Sequence, residues 1–396
     1  MTKKLSVLLV LLMLVIGGAA AQDGEPIKIG AIFDLSGETS EVGTPYAQGM
    51  KAYIEFVNEN GGINGQPLEL LAGDAAYDVR RAEQLYGQLA AEGVVAVMGW
   101  GTEESLALAG RAASDQIPFL SASSSEELND PSGFAPYNFL VTPTYGDQLV
   151  AMIFHMLELW EDEGFSAADM RIALFYHDSD FGSDPITAGE EFARQSRIGG
   201  ILAVPMWSEA RDFTAELQQA DDYGITHIII QNLPAPAAQL ARNITGFFGG
   251  ITPGTVGCLN WCANEQFVEL AGEAAENVLG AIPFAPTSVS VNGQQDAEDF
   301  LEERGQSLED ATLHFTQGWA TMSVLVAAIE DTSNAGQAIT GANIRAALES
   351  MRNFETGGLL APLTFSADDH RGTRALAIYV VQNSEWRPSS NMLDLR

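Results

Sequence analysis

Two successive series of short apolar stretches, each stretch followed by a helix-like segment, constrain the fold of this chain more than any other feature. The first series predicts strands at IKIGAIF (27–33), LELLAG (68–73), VVAVMG (94–99) and IPFLSA (117–122). The second predicts strands at RIALFY (171–176), ILAVPM (201–206), HIIIQ (227–231) and TVGCL (255–259). Because strand and helix alternate, each series predicts a doubly wound, mainly parallel sheet, and the fold class is α/β.

Amphipathic periodicity predicts the helices that connect these strands. The spacing of apolar residues predicts helices at 46–60, 78–89, 103–114, 148–160, 186–194, 213–220 and 235–247. The tail predicts two more helices, near 312–331 and 341–351, and late strands at PLTF (362–365) and LAIYVVQ (376–382). The segment 139–147 joins the two series without a low-complexity linker, which indicates a hinge rather than a flexible tether.

The first 21 residues are organised like a secretory signal peptide. Lys3 and Lys4 precede an apolar run at 5–16, and Ala21 ends a triplet of alanines, so we expect cleavage after Ala21. The apolar run is too short to span a membrane, and no later stretch reaches about 18 uninterrupted apolar residues. No cysteine lies near the cleavage site, so we expect an unanchored, soluble chain, most simply in a bacterial periplasm.

The charge of the chain excludes whole classes of partner. The chain has 396 residues, with 53 acidic against 19 basic side chains and a formal net charge of −34. Nucleic acids and anionic membrane surfaces would repel such a protein. About 375 residues would remain after cleavage, enough for two domains that each bury a core.

Two cysteines, Cys258 and Cys262, leave two interpretations open. They form one disulfide in an oxidising compartment, or they are small buried thiols. No set of histidines and cysteines with zinc-ligand spacing accompanies them, so no metal site is expected.

Glycine and hydroxyl residues follow two neighbouring predicted strands. Gly99, Trp100, Gly101 and Thr102 follow VVAVM, and a run of serines at 121–125, interrupted only at 122, follows IPFL. In open α/β sheets the ligand lies beyond the carboxyl ends of the strands, and helix N-termini hold carboxylates without a cationic side chain. The alternative is that Thr102 and Ser125 are ordinary helix N-caps. The two loops together, with an indole between them, favour a binding site.

The order of several motifs resembles a known family. Five motifs occur in order along the chain: the segment IKIGAIFDLSGETSEVGTPYAQGMKAYIEFVNENGGINGQPLELLAGDAAYD (27–78), the GGING turn within it, GVVAVMG, IPFLSASS and FVELAGEAAENVLGAIPF (267–284). Their order resembles that in the periplasmic branched-chain amino-acid binding proteins. This leucine/isoleucine/valine-binding family serves ABC importers, and the resemblance covers nearly the whole mature chain.

The resemblance implies a type I periplasmic binding protein, with two Rossmann-like lobes that are joined by a three-crossing hinge and close on a ligand. The crossings would fall near 141–143, 282–285 and 355–360. Lobe one would comprise 27–141 plus 285–355, and lobe two 142–284 plus 356–390.

The resemblance also implies a ligand site. Thr102 matches the hydroxyl that binds the ligand's carboxylate, and the serines at 123–125 match a second polar cluster that grips the carboxylate and amino group. Phe181 matches an aromatic wall, and Asn232 or Leu233 lies where another aromatic contact is usual. The expected ligand-binding residues are Trp100, Gly101, Thr102, Ser123, Ser124, Ser125, Phe181, Asn232, Asn260 and Trp261.

Asn260 departs from the family pattern, because it stands where a carboxylate pairs with the ligand's ammonium group. An amide accepts a hydrogen bond but supplies no countercharge. Either Glu103 or Glu104 replaces that carboxylate, or the ligand is not a plain α-amino acid. Trp100 and Trp261 suit an amide, an aromatic acid or an unusual side chain, although both could simply pack beneath the loops.

Catalysis is not expected from this sequence. It has no nucleophile elbow, no phosphate-binding Walker loop, no dinucleotide fingerprint and no HExxH zinc motif, and its five histidines are scattered. We therefore expect no cofactor, a monomeric receptor of an ABC importer, and two partners: a small solute and the permease. A sensor with the same scaffold is the alternative, and fold alone does not separate the two.

Overall fold

The first sheet contains five parallel strands. A computed structural model describes residues 24–206 and 212–395; the predicted signal peptide lies outside these residues. The sheet has the order β2-β1-β3-β4-β5, and its strands are β1 (Ile27–Phe33), β2 (Leu68–Asp74), β3 (Ala96–Gly99), β4 (Phe119–Ser121) and β5 (Asn138–Phe139). All four strands predicted in the first series are present, whereas the two-residue strand β5 was not predicted.

The second sheet contains eight strands. Its parallel part consists of β6 (Arg171–His177), β7 (Gly200–Met206), β8 (His227–Gln231), β9 (Val256–Cys258) and β10 (Leu279–Ile282). The late strands β11 (Ala375–Gln382), β12 (Glu385–Pro388) and β13 (Leu393–Asp394) add an antiparallel edge, and the order is β12-β11-β10-β9-β8-β6-β7, with β13 on β11. The two doubly wound sheets predicted from the sequence are confirmed.

Helices cover the faces of both sheets. They are α1 (Ser40–Glu59), α2 (Val79–Ala91), α3 (Thr102–Asp115), α4 (Tyr145–Asp162), α5 (Asp180–Ser183), α6 (Ile186–Gln195), α7 (Thr214–Tyr223), α8 (Pro234–Phe248), α9 (Glu265–Ala271), α10 (Gln295–Glu302), α11 (Leu308–Asn334) and α12 (Gly341–Ser350). The Asp78 carboxylate accepts from Arg81 N and so caps α2, as predicted. The backbone of α11 is interrupted at Thr312, where φ is 68°.

Two glycines bring α1 and α11 into direct backbone contact in the first lobe. A Cβ atom on Gly49 would lie 1.9 Å from the Phe315 carbonyl oxygen, and one on Gly318 would lie 2.0 Å from the Tyr46 carbonyl oxygen. No side chain larger than hydrogen fits at either position without a shift of the helices. The tail helix α11 therefore belongs to the first lobe, although it follows the second strand series along the chain.

The predicted strand PLTF is wrong. Leu363 forms only an isolated bridge with Phe354, and its neighbours belong to no sheet. Four residues with two apolar side chains do not distinguish a strand from a buried loop. The short edge strands β12 and β13 were not predicted, because their sequences lack a continuous apolar face.

The chain passes between the lobes in three places. Residues 140–144 connect β5 to α4, and 283–294 connect β10 to α10. On the third passage, Phe365 packs on Phe139 and the Leu140 carbonyl oxygen accepts from Gly372 N, so the segment up to 372 still contacts the first lobe. These contacts favour a third crossing close to 372–374 over the predicted 355–360. The lobe boundaries as a whole remain a prediction.

Cys258 and Cys262 are both buried and do not form a disulfide in this structure. The Cys262 thiol donates to the Ile230 carbonyl oxygen at 3.4 Å. Burial raises the pKa of the Cys258 thiol well above its usual range, which keeps that sulfur protonated. Of the two interpretations, the structure has the buried thiols.

Candidate ligand-binding cleft

A small cavity lies between the lobes, beyond the carboxyl ends of strands from both sheets. Its empty volume is about 290 Å³. One lobe contributes the loops after β1, β2, β3 and β4 and the start of α1. The other lobe contributes the loops after β6, β8 and β9 and the start of α4. The lining residues are Thr39, Val42, Tyr77, Trp100, Gly101, Thr102, Ser123, Tyr145, Phe181, Leu233 and Trp261. This is where parallel α/β sheets place their ligands, because their loops and helix N-termini converge there.

Six of the ten predicted site residues line this cavity, and four do not. Trp100, Gly101, Thr102, Ser123, Phe181 and Trp261 belong to the lining, whereas Ser124, Ser125, Asn232 and Asn260 do not. That the lining residues bind a ligand remains a prediction.

Hydroxyl groups form a connected chain along one side of the cavity. Thr102 Oγ1 lies 2.7 Å from Ser123 Oγ, and both side chains are buried. Ser123 is in turn hydrogen-bonded to the Tyr145 hydroxyl, whose pKa burial raises to about 12, so that the phenol stays protonated. The Trp261 indole N–H donates to the same Tyr145 oxygen at 3.1 Å. The chain thus links Thr102 in one lobe to Trp261 in the other.

Thr102 is not the N-cap of α3, which corrects that alternative. It is the first residue of the helix, and Gly101 occupies the N-cap position. Ser125 does precede a short 3₁₀ turn, but its hydroxyl caps nothing; it donates to Asp184 Oδ2 from the other lobe. The Thr102 hydroxyl is therefore not committed to stabilising its own helix.

Aromatic rings form most of the remaining wall. Trp100 and Trp261 meet edge to face with ring centroids 5.3 Å apart, and Tyr145 meets Phe181 in the same way at 5.3 Å. The Trp100 indole N–H donates to Thr39 Oγ1 at 2.7 Å. The sequence left open whether the two tryptophans pack beneath the loops or line the site. In the structure each tryptophan packs beneath the loops and also lines the cavity.

Asn260 takes part in a polar network behind the cavity wall. Its Oδ1 accepts from Gln317 Nε2 at 3.0 Å, and the Gln317 Oε1 atom is hydrogen-bonded to His314. His314 is 2.6 Å from Asn264 Nδ2 and stacks on Trp261. Because Gln317 and His314 lie on α11 and the two asparagines follow β9, this network connects the lobes.

The other predicted residues outside the lining also have protein partners. The Ser124 hydroxyl lies 2.7 Å from Thr142 Oγ1. The Asn232 side chain turns back to its own backbone, where its oxygen accepts from Leu233 N at 2.8 Å. Leu233, the second member of the predicted pair at this position, lines the cavity instead.

Two acidic side chains near the cavity have perturbed titration. Burial raises the pKa of Glu104 to about 7, although its Oε2 accepts from Gly101 N at 3.0 Å. Burial also raises the pKa of Asp184 to about 7, against the opposing effect of its hydrogen bond from Ser125. Glu103 spans the cleft: its carboxylate accepts from the Tyr77 hydroxyl and from Asp180 N, both at 2.9 Å.

Sequence reasoning missed four of the lining residues, Thr39, Val42, Tyr77 and Tyr145. Thr39 and Val42 follow β1, and Tyr77 follows β2, so the rule that ligands bind beyond strand ends would have included them. Tyr145 carried no such signal, because it begins a helix after a crossing between lobes.

Within residues 24–206 and 212–395 there is no cluster of three or more metal-binding side chains. In the same part of the chain, no helix is both long enough and apolar enough to cross a membrane.

Two α/β lobes with a small cavity between their strand ends define a bilobal solute-binding protein. The chain belongs to the periplasmic binding protein family, whose model matches residues 26–385. The family and the fold class predicted from the sequence are therefore confirmed, and the members of this family bind solutes.

Individual relatives are distant. The chain is 23% identical over 188 residues to Leu/Ile/Val-binding protein homolog 7 of Brucella abortus (strain 2308), and the match covers 46% of each chain. It thus spans about half the length of the curated relatives that it matches.

Solved structures share the whole fold. A branched-chain amino acid ABC transporter protein from Thermus thermophilus with bound valine has a TM-score of 0.84 at 21% identity, covering 94% of this chain and 97% of that one. A fatty acid ABC transporter substrate-binding protein from Thermomonospora curvata has a TM-score of 0.81 at 20% identity, covering 93% and 92%.

Proposed function

We propose that this protein is an extracytoplasmic receptor of an ABC importer, which traps a small carboxylate-bearing solute between its two lobes. The solute would be an amino acid or a related compound. The 21-residue leader would direct the chain to the periplasm, and the receptor would deliver its solute to the permease subunits.

The observation that carries the proposal is the Thr102–Ser123 hydroxyl pair at the N-terminus of α3, which lines the cavity between the lobes. Thr102, Ser123 and Tyr145 hold three hydroxyl protons and the two hydrogen bonds among them use two, so one proton is left for a ligand oxygen. The first N–H groups of α3 have no partner within the helix, and the helix dipole favours a negative group there. Together these donors suit a carboxylate.

The lining also supports a role in binding rather than catalysis. The lining has hydroxyl groups, but none of its eleven residues is a histidine, cysteine, lysine or carboxylate that could act as their general base. Relatives of this fold have names that mention valine and fatty acids, two carboxylates with apolar bodies.

Ligand titration after removal of any retained solute tests the proposal. The protein would be unfolded in denaturant, dialysed, refolded and titrated with leucine, valine, 4-methylpentanoate and 3-phenylpropanoate. Because Trp100 and Trp261 line the cavity, we expect saturable quenching of tryptophan fluorescence by at least one compound. Small-angle scattering should show a smaller radius of gyration at saturation than before it.

The control is refolded protein whose circular dichroism and thermal melting match those of the untreated protein. If none of the four compounds binds to protein that passes this control, the receptor does not take small carboxylates of this size. Binding without any change in the radius would contradict trapping by lobe closure.

A further inference from the structure

The side chains of the cavity wall restrict the chemical class of the solute, whereas the volume of the cavity restricts only the size of the solute. Among the residues that the structure describes, the lining contains five aromatic side chains, Val42, Leu233, Gly101 and three hydroxyl residues. No lining side chain carries a charge. A solute held here would therefore meet apolar surface on most sides and neutral hydrogen-bonding groups on one.

In the described part of the chain, no carboxylate belongs to the lining, and most carboxylate oxygens behind this wall are engaged by donors of the protein. The exceptions are Glu104 Oε1 and Asp184 Oδ1, which are buried without a partner. Both Glu103 oxygens accept hydrogen bonds, one from the Tyr77 hydroxyl that would otherwise face the cavity. Asp34 accepts from the Thr39 backbone N–H and hydroxyl, at 2.9 and 2.7 Å. These acids stand behind the wall, where they orient lining residues rather than contact the solute.

The amide oxygens behind the wall are engaged as well. Asn260 Oδ1 receives the Gln317 amide from the opposite lobe, and Asn232 Oδ1 receives Leu233 N. An ammonium group in the cavity would thus find no countercharge among the lining side chains and no free oxygen on the Asn260 or Asn232 amide. Only hydroxyl oxygens and the faces of aromatic rings would be left to replace the water that it loses on binding.

The donors at Thr102 and Ser123 favour a hydrogen-bond acceptor rather than an ammonium group. The proton that remains on the Thr102–Ser123–Tyr145 hydroxyl chain, with the N-terminus of α3 beside it, suits a carbonyl or carboxylate oxygen. The Trp100 indole N–H donates to Thr39 and the Trp261 indole N–H to Tyr145, so the faces and edges of these rings remain as apolar contact surface.

We propose that the solute is an acyl compound, a carboxylate or a carboxamide, with a branched or aromatic hydrocarbon body and no ammonium group. The inference rests on the proposed receptor function and specifies the solute class of the same cavity. Burying an ammonium group without a partner is costly, whereas burying the hydrocarbon body is favourable. The cavity therefore selects des-amino acids or their amides over the corresponding amino acids.

Isothermal titration calorimetry on stripped, refolded protein tests the inference with matched ligands. Leucine, 4-methylpentanoate and 4-methylpentanamide share one body and differ in the ammonium or the acyl group; phenylalanine and 3-phenylpropanoate form an aromatic pair. We expect at least one des-amino acid or amide to bind about tenfold or more tightly than the amino acid of the same body, a difference of about 1.4 kcal/mol.

The possible outcomes separate the inference from the receptor function. If leucine or phenylalanine binds as tightly as every acid and amide of the same body, or more tightly, the inference is overturned and the receptor function stands. If no compound of either set binds to correctly refolded protein, both are overturned. The amide distinguishes the two acyl classes, because binding of 4-methylpentanamide in preference to the acid would identify a neutral carboxamide as the solute class.

Discussion

Replacing Thr102 with valine should weaken binding of a carboxylate solute by about tenfold to a hundredfold or somewhat more. The substitution keeps the shape of a side chain that is only 2% exposed and deletes the hydroxyl that lies 2.7 Å from Ser123. A hydrogen bond to a charged group contributes roughly 1.5–3 kcal/mol, and each 1.4 kcal/mol is a factor of ten in the dissociation constant. Because Gly101 and not Thr102 is the N-cap of α3, the helix itself loses no cap.

The assay is calorimetry or tryptophan fluorescence with the tightest-binding compound of the panel, on stripped wild-type and variant proteins. Thr332→Val is the matched control, since Thr332 is buried to the same degree but does not line the cavity, and its hydroxyl donates to the carbonyl oxygen of Ala328 in its own helix. The control should leave the dissociation constant unchanged. If Thr102→Val folds normally and binds like the wild type, the Thr102 hydroxyl does not hold the solute.

Three further predictions concern packing, pH and closure. Gly318→Ala places a Cβ atom 2.0 Å from a backbone carbonyl oxygen of α1 and should lower the free energy of unfolding, measured by urea titration, by about 1–3 kcal/mol. The control is Gly110→Ala, whose Cβ atom would lie in open space on α3 and should not lower the free energy of unfolding. Burial raises the pKa of Asp184 from 3.8 to about 7, so the native state binds its proton more tightly than the unfolded chain does, and the associated stability is lost as the pH rises from about 4 to 7. Urea titrations across that range should show the stability of Asp184→Asn rising relative to the wild type, and a constant difference would refute this assignment. Gln317→Met keeps the length of the side chain but leaves Asn260 Oδ1 unpaired between the lobes, which should destabilise the closed state by about 1–3 kcal/mol. Small-angle scattering at subsaturating solute should therefore show a larger radius of gyration for the variant than for the wild type. An unchanged radius and an unchanged affinity would count against this network as a contact that stabilises closure.

The architecture of this protein could be predicted from its sequence because the signals are local. The apolar periods of β1, β6 and α2 depend on neighbouring residues, and parallel strands connected by helices direct their carboxyl ends to one edge of the sheet. Trp100, Thr102, Ser123 and Phe181 follow such strand ends, so the sequence alone locates most of the cavity wall. The strand PLTF failed because a short apolar run has no period that separates strand from loop.

The sequence by itself therefore determined the class of fold, the two sheets and the loops that meet at the cleft. Only the tertiary structure decided which side chains in those loops face the cavity and which face one another. Asn260 pairs with Gln317, which lies 57 residues further along the chain and on the opposite lobe. The direction of such a side chain depends on how the two lobes meet, and no local period or capping motif records that.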